Sequence, residues 1–96
     1  MLRIHEFSLA AKDFETLTVA DSVKQVTAAK IGVGVFITVE TAAIRYTMDG
    51  TDPVAGTTGH VLAVNGTLYI VDRGSVLNLK MIRDTGTSAV IQVTHY

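Results

Sequence analysis

The residues of this chain best suited to chemistry lie in the stretch Asp-Gly-Thr-Asp-Pro, at 49–53. Asp49 and Asp52 could supply a cation site or a pair of catalytic carboxylates. An EF-hand calcium loop needs oxygen ligands at alternating positions and a distal bidentate Glu. These two aspartates are three residues apart, and no Glu follows them. A turn suits the same letters, because Asp caps backbone N–H groups, Gly50 tolerates positive φ and Pro53 fixes its own φ. The stretch is predicted to be a structural corner.

Histidine and serine are the other side chains that could carry chemistry. His5, His60 and His95 could be gathered into a zinc site by a sandwich fold, but their spacing does not indicate one. They are predicted to lie at the surface or at the rim of the sandwich. No serine stands in a Gly-x-Ser-x-Gly context, and the absence of cysteine excludes thiolate chemistry and disulfides. The chain is therefore predicted not to be an enzyme and to hold no metal or cofactor; the enzymatic alternative requires a deep pocket that joins a histidine to Asp49 or Asp52.

The composition predicts a protein that associates with other protein subunits. Of its 96 residues, 48% are hydrophobic and only 18% are charged. The chain is expected to form one small domain, at residues 1–96, and such a domain cannot bury this much apolar surface alone. The net charge is −1 without a basic stripe, which disfavours nucleic-acid binding. No run approaches the ~20 apolar residues of a membrane span. A soluble, unprocessed homo-oligomer is expected.

Alternating apolar residues predict the elements that position these side chains. β-branched and aromatic residues dominate, and they favour strands. Period-two alternation places these residues inward: Leu17 and Val19; Val35, Ile37 and Val39; Ile44, Tyr46 and Met48; Leu77, Leu79 and Met81; Ile91 and Val93. Arg3–Leu9 is a further strand candidate, 23–27 is a short or bulged one, and 28–32 suggests one helical turn. Asn65-Gly66 between two apolar runs predicts a type I′ β-hairpin. The predicted fold is an all-β antiparallel sandwich, immunoglobulin-like or jelly-roll, of seven to nine short strands with little helix.

Several apolar residues fall on the predicted outer faces of these strands. They could form a second layer of core or a subunit interface. The set is Phe36, Tyr69, Val71, Ile82, Val90 and Tyr96, and the candidate interface residues among them are Phe36, Tyr69, Val90 and Tyr96.

The C-terminal half carries a longer pattern. It reads Arg-Tyr-Thr-x-Asp-Gly-Thr-Asp-Pro, then Gly-His, then Ile-Arg-x-x-Gly-Thr-Ser-Ala and a closing Val-Thr-x-Tyr. Over Ala43–Tyr96 the chain resembles small proteins encoded in tailed-phage genomes and prophages; the N-terminal half matches only in outline. The first piece alone is also similar to corners in chitobiase-type sandwich modules.

The resemblance implies a virion structural protein, most simply a capsid decoration or cement subunit made in the bacterial cytoplasm. Its partners would be copies of itself, as in a trimer, and the major capsid protein or another virion protein. The residues of this corner would then hold the fold rather than act on a substrate; they are Arg45, Asp49, Gly50, Asp52, Pro53 and Gly59. The alternatives are a head–tail neck or tail accessory protein, and a carbohydrate-binding sandwich module with exposed aromatic rings.

Overall fold

The structure, a computed structural model, describes residues 10–96. Its elements in chain order are β1 (Asp13–Val19), one turn of 3-10 helix (Ala28–Lys30), β2 (Val35–Glu40), β3 (Ile44–Thr47), β4 (His60–Leu62), β5 (Thr67–Ile70), α1 (Arg73–Asn78), β6 (Lys80–Arg83) and β7 (Ala89–His95). The strand candidate at Arg3–Leu9 and the imidazole of His5 lie outside the described residues.

The seven strands of this described range form two antiparallel sheets. One sheet has the order β1-β7-β2-β5 and the other has the order β4-β3-β6. The two sheets enclose one hydrophobic core. The prediction of an antiparallel sandwich of short strands with little helix is confirmed.

The core is built by the alternation seen in the sequence. Val35, Ile37 and Val39 of β2 are buried, as are the inward residues of β7, whereas the residues between them face outward. The helical turn predicted at 28–32 is present, and the candidate at 23–27 is reduced to one bridge between Lys24 and Met81. The period-two alternation of apolar residues therefore located the long strands correctly, because one face of each strand is buried and the other is not.

The predicted strand through Leu77, Leu79 and Met81 is wrong in its first part. Residues 73–78 form α1, and the Asp72 carboxylate caps it by accepting a hydrogen bond from the Ser75 N–H, at 3.1 Å. The helix turns Val76 into the core and leaves Leu77 46% exposed. The N-cap gives the backbone an alternative to the extended form, so strand alternation begins only at β6.

The predicted β-hairpin at Asn65-Gly66 is also wrong. The flanking strands β4 and β5 pair with different sheets, so the turn passes from one sheet to the other. Asn65 has φ +67°, but Gly66 does not have the positive φ that a type I′ turn requires. The Gly66 N–H instead donates to the Ala63 carbonyl, at 2.8 Å. Long-range pairing with β2 and β3 thus overrides the local hairpin signal.

A smaller error concerns the end of β3. The strand stops at Thr47, which is buried, and Met48 is exposed rather than aligned with Ile44 and Tyr46. The chain turns away here because the Asp49-Gly50 corner begins.

Candidate functional site

Both aspartates of the corner make contacts within the fold. The Asp49 carboxylate accepts a hydrogen bond from the Thr51 N–H, at 3.0 Å, and Gly50 follows with φ +88°. Asp52 forms an ion pair with Lys80, with 2.8 Å between Oδ1 and Nζ. Among residues 10–96, no group of three or more potential ligand side chains is arranged to hold a metal ion. The two carboxylates therefore do not converge on a common centre.

Arg45 ties this loop to the far end of β6. Its Nε–H donates to the Asp84 carboxylate at 2.6 Å, and its guanidinium also donates to the Gly59 carbonyl at 3.0 Å. The Gly56 N–H donates to the same Asp84 oxygen, at 3.0 Å. Gly59 has φ +115°, and a Cβ there would lie 3.3 Å from the Pro53 Cβ. These contacts hold the loop against the sheet.

An open cavity of about 530 Å³ lies beside the corner. Its polar lining includes the Asp49 carboxylate and the His60 imidazole, and the His60 ring packs against Tyr46 with 5.4 Å between centroids. Hydrogen bonds from Thr51 lower the pKa of the Asp49 carboxyl, which makes it a weak proton acceptor. The cavity brings a histidine and Asp49 to one pocket, but this pocket is open to solvent rather than deep.

His95 was predicted to lie at the surface or at the rim of the sandwich, and this is wrong. Its side chain is fully buried, and its Nε2–H donates to the Glu15 carboxylate at 2.7 Å. Glu15 also accepts hydrogen bonds from the Thr27 N–H, at 3.0 Å, and from the Thr27 hydroxyl, at 2.5 Å. Burial alone would raise the pKa of the Glu15 carboxyl, but these hydrogen bonds and the imidazole outweigh it and hold the pKa below its ordinary value. The pair joins β1 to β7 from inside the core.

Four aromatic rings lie on the outer face of the four-stranded sheet. Phe14 of β1 is opposite Thr94 of β7, Thr94 is opposite Phe36 of β2, and Phe36 is opposite Tyr69 of β5. Tyr96 follows β7 and its ring lies 6.0 Å from that of Tyr69. We call this surface, formed by Phe14, Phe36, Tyr69 and Tyr96, the aromatic face.

The aromatic face is exposed and has few charged neighbours, although Lys12 lies beside Tyr96 at one end. Phe14 is 55% exposed, Phe36 36% and Tyr69 56%, so these side chains do not form a second layer of core. The other outward positions of the sheet are Thr16, Thr18, Thr38, Glu40, Thr67, Val90, Gln92 and Thr94. Glu40 alone among them carries a charge. Solvated sheet faces normally carry more charge, so this composition is typical of a surface that docks on another protein.

The rings are packed edge to face. Phe36 and Tyr69 have centroids 6.1 Å apart and planes at 82°, and the planes of Tyr69 and Tyr96 meet at 64°. Edge-to-face packing is a preferred arrangement of aromatic rings, and it leaves a ridged rather than a flat surface. A sugar ring would instead need a flat aromatic platform, which perpendicular rings do not provide.

The predicted interface residues are only partly brought together. Phe36, Tyr69 and Tyr96 share the aromatic face, whereas Val90 lies at the other end of the same sheet, opposite Thr18 and Glu40. Ile82 belongs to the three-stranded sheet. Sequence reasoning missed Phe14, although its spacing from Thr16 and Thr18 already placed it opposite the inward residues of β1.

No protein-family model, curated protein or solved structure matches this chain. None of the helices in the described part of the chain has the length and apolar character needed to cross a membrane. The assignment of the aromatic face as the candidate site therefore depends on its geometry.

Proposed function

We propose that this chain is a structural subunit of a tailed-phage virion, a decoration or cement protein that stabilises the particle through subunit contacts. The observation that carries the proposal is the exposed, nearly uncharged aromatic face on one side of the sandwich. The resemblance over Ala43–Tyr96 gives the setting. In it, the Arg45–Asp84 contacts hold the fold rather than act on a substrate.

The mechanism is adhesive. A fully buried aromatic side chain removes ~150–250 Å² from water. The four rings are already about half covered within the chain, so roughly half of that area per ring remains for the apolar centre of an interface of ~800 Å² per partner. At ~25 cal/mol per Å² each ring contributes a few kcal/mol before the costs of association. Repetition over many copies on one particle then converts modest contacts into firm attachment by avidity. A neck or tail accessory subunit would use the same physics.

A carbohydrate-binding module is the second candidate, because the aromatic face is a row of exposed rings. The edge-to-face packing of Phe36, Tyr69 and Tyr96 favours protein docking over sugar stacking. Binding of the wild-type chain to a glycan array, abolished by Tyr69→Ala, would reverse this order.

The test compares virions that carry wild-type or altered subunits. Phe14→Asp combined with Tyr69→Asp places two charges on the aromatic face, and Val54→Asp places one on a half-exposed loop residue outside it. Mass spectrometry of gradient-purified virions should find the wild-type chain and the Val54→Asp variant in many copies, and should not find the double variant. Absence of the wild-type chain from the virions would overturn the proposal, as would retention of the double variant.

A further inference from the structure

The two long sides of the sandwich are closed to different degrees. On the side where β1 lies over β6, residues 20–27 bond to the edge of β6. Lys24 and Met81 exchange backbone hydrogen bonds of 2.7 and 2.9 Å, and the Arg83 N–H donates to the Ala20 carbonyl at 3.0 Å. Thr27 is bound by the Glu15 carboxylate, as described above. The chain itself therefore occupies the edge of β6, whereas the outward backbone groups of Thr16 and Thr18 on β1 have no backbone partner within residues 10–96.

The opposite side is formed by the edges of β4 and β5, and we call it the open side. Gly34 exchanges backbone hydrogen bonds with Tyr96, and Val39 bonds to Gly66. Because successive residues of a strand bond to opposite sides, the N–H and C=O groups of the odd-numbered residues of β2 point toward β5. Leu68 and Ile70 then bond to β2, whereas Thr67 and Tyr69 direct their N–H and C=O groups away from the sheet. Within residues 10–96, no further backbone hydrogen bond to β5 is made.

The open side lacks the charges that usually protect a strand edge. From Pro53 to Val71 the chain contains no Asp, Glu, Lys or Arg. The edge of β1 is different: the Asp13 carboxylate accepts from the Phe14 N–H at 2.8 Å and pairs with Lys30 at 3.1 Å. Proteins that remain monomeric normally blunt their edges with such charges. Both edges of this sheet have unpaired backbone groups, but only β1 is flanked by an ion pair, and this difference favours β5 as the edge that pairs.

We propose that β5 pairs antiparallel with β5 of a second copy across a two-fold axis, forming a continuous eight-stranded sheet. The register that satisfies every outward group places Thr67 opposite Tyr69 of the partner subunit and Leu68 opposite its own counterpart. A second copy of the chain suits this edge as a partner. The edge is uncharged, so an identical edge can pair with it without leaving a charge unpaired. The inference rests on the proposed function and names the partner at that site, since the pairing joins two aromatic faces into one surface.

Disulfide cross-linking tests this register directly, because the chain contains no cysteine. In the proposed register Leu68 occupies a non-hydrogen-bonded pair, whose Cβ atoms lie about 4.5–5.5 Å apart, near disulfide range. Leu68→Cys should give a covalent dimer on mild oxidation. The Thr18→Cys variant, whose cysteine is exposed on β1, should stay monomeric on a gel run without reducing agent. Equal cross-linking of both variants, or none by a folded Leu68→Cys protein, would overturn the proposal.

A second pair of variants tests the edge without a cysteine. Thr67→Pro removes an outward N–H at the first residue of an edge strand, a position where proline is tolerated. It should abolish the dimer in light scattering, whereas Thr67→Val, which keeps the N–H, should retain it. If the Thr67→Pro variant does not fold, the cross-linking of Leu68→Cys decides whether the β5 strands pair.

The outcomes separate this inference from the proposed function. A wild-type chain found in virions together with a folded, uncrosslinked Leu68→Cys variant refutes the edge pairing alone. A cross-linked Leu68→Cys variant together with absence of the chain from virions refutes the function alone.

Discussion

At the scale of single residues, the buried Glu15–His95 pair is the most consequential contact. Each member lies next to a ring of the aromatic face, Glu15 beside Phe14 and His95 beside Tyr96. Strand alternation therefore points the ionisable groups into the core and the rings outward. His95 Nδ1 is buried without a hydrogen-bond partner among the described residues. The pair thus fixes β1 against β7 directly beneath the surface that we propose to be adhesive.

The pair should make folding stability depend on acid pH. Because the pKa of Glu15 is lowered in the folded state, its contribution is complete above the ordinary value of about 4.5. It is lost as the pH falls through the lowered value, since protonation removes the acceptor that faces His95 and Thr27. Glu15→Gln should therefore reduce the free energy of unfolding by about 1–3 kcal/mol at pH 7 and flatten its decline below pH 4.5, measured by urea denaturation at a series of pH values.

Asp13→Asn is the matched control for this change. Hydrogen bonds from Phe14 and Lys30 also lower the pKa of Asp13, but this carboxylate is exposed and its interactions are screened by solvent. The control should leave the pH dependence close to that of the wild type. If both variants have the same acid profile, the buried pair does not control stability.

At the scale of elements, the sequence predicted the strands that are set by local alternation. It failed where contacts between distant residues determine the structure. Alternation located β1, β2 and β7, because each has one buried face. The Asn65-Gly66 hairpin failed because β4 and β5 are recruited by different sheets. Alternation through Ile91 and Val93 already places His95 inward, but its acceptor could not be recognised, because Glu15 is 80 positions away in the sequence. The aromatic face was predicted only in part. Alternation in the sequence shows which residues point outward, but it does not show which strands are neighbours in the sheet.

Helix α1 offers a test of register at this scale. Val76 is 1% exposed and packs in the core, whereas the next residue is largely solvated. Val76→Ala should lower the free energy of unfolding by about 1.5–3 kcal/mol, from the methyl groups lost and the cavity left. Leu77→Ala should cost less than about 0.5 kcal/mol. The strand predicted from the sequence requires the opposite order, so the two denaturation curves distinguish a helix from a strand here.

At the scale of the whole molecule, the surfaces divide into charged and uncharged regions with different roles. The corner and the β1 edge carry ion pairs, namely Asp52–Lys80, Arg45–Asp84 and Asp13–Lys30. The aromatic face and the open side carry almost none. A small domain with 48% hydrophobic residues thus presents part of its exposed apolar area on two adjoining surfaces, which meet at Tyr69.

This division predicts how subunit association responds to salt. Apolar surfaces gain affinity from exclusion of water and lose little when charges are screened, so raising NaCl from about 50 mM to about 500 mM should leave the dissociation constant nearly unchanged. Sulfate, which is excluded from protein surfaces, should tighten association, and dilution calorimetry should give a negative heat capacity of association. Weakening of the oligomer by NaCl would instead assign the contact to the ion-paired regions, because interactions between exposed charges fade when the Debye length shortens to a few ångströms. Repeating the titration with Tyr69→Ser, which truncates the ring shared by both surfaces, should remove the sulfate effect together with the oligomer.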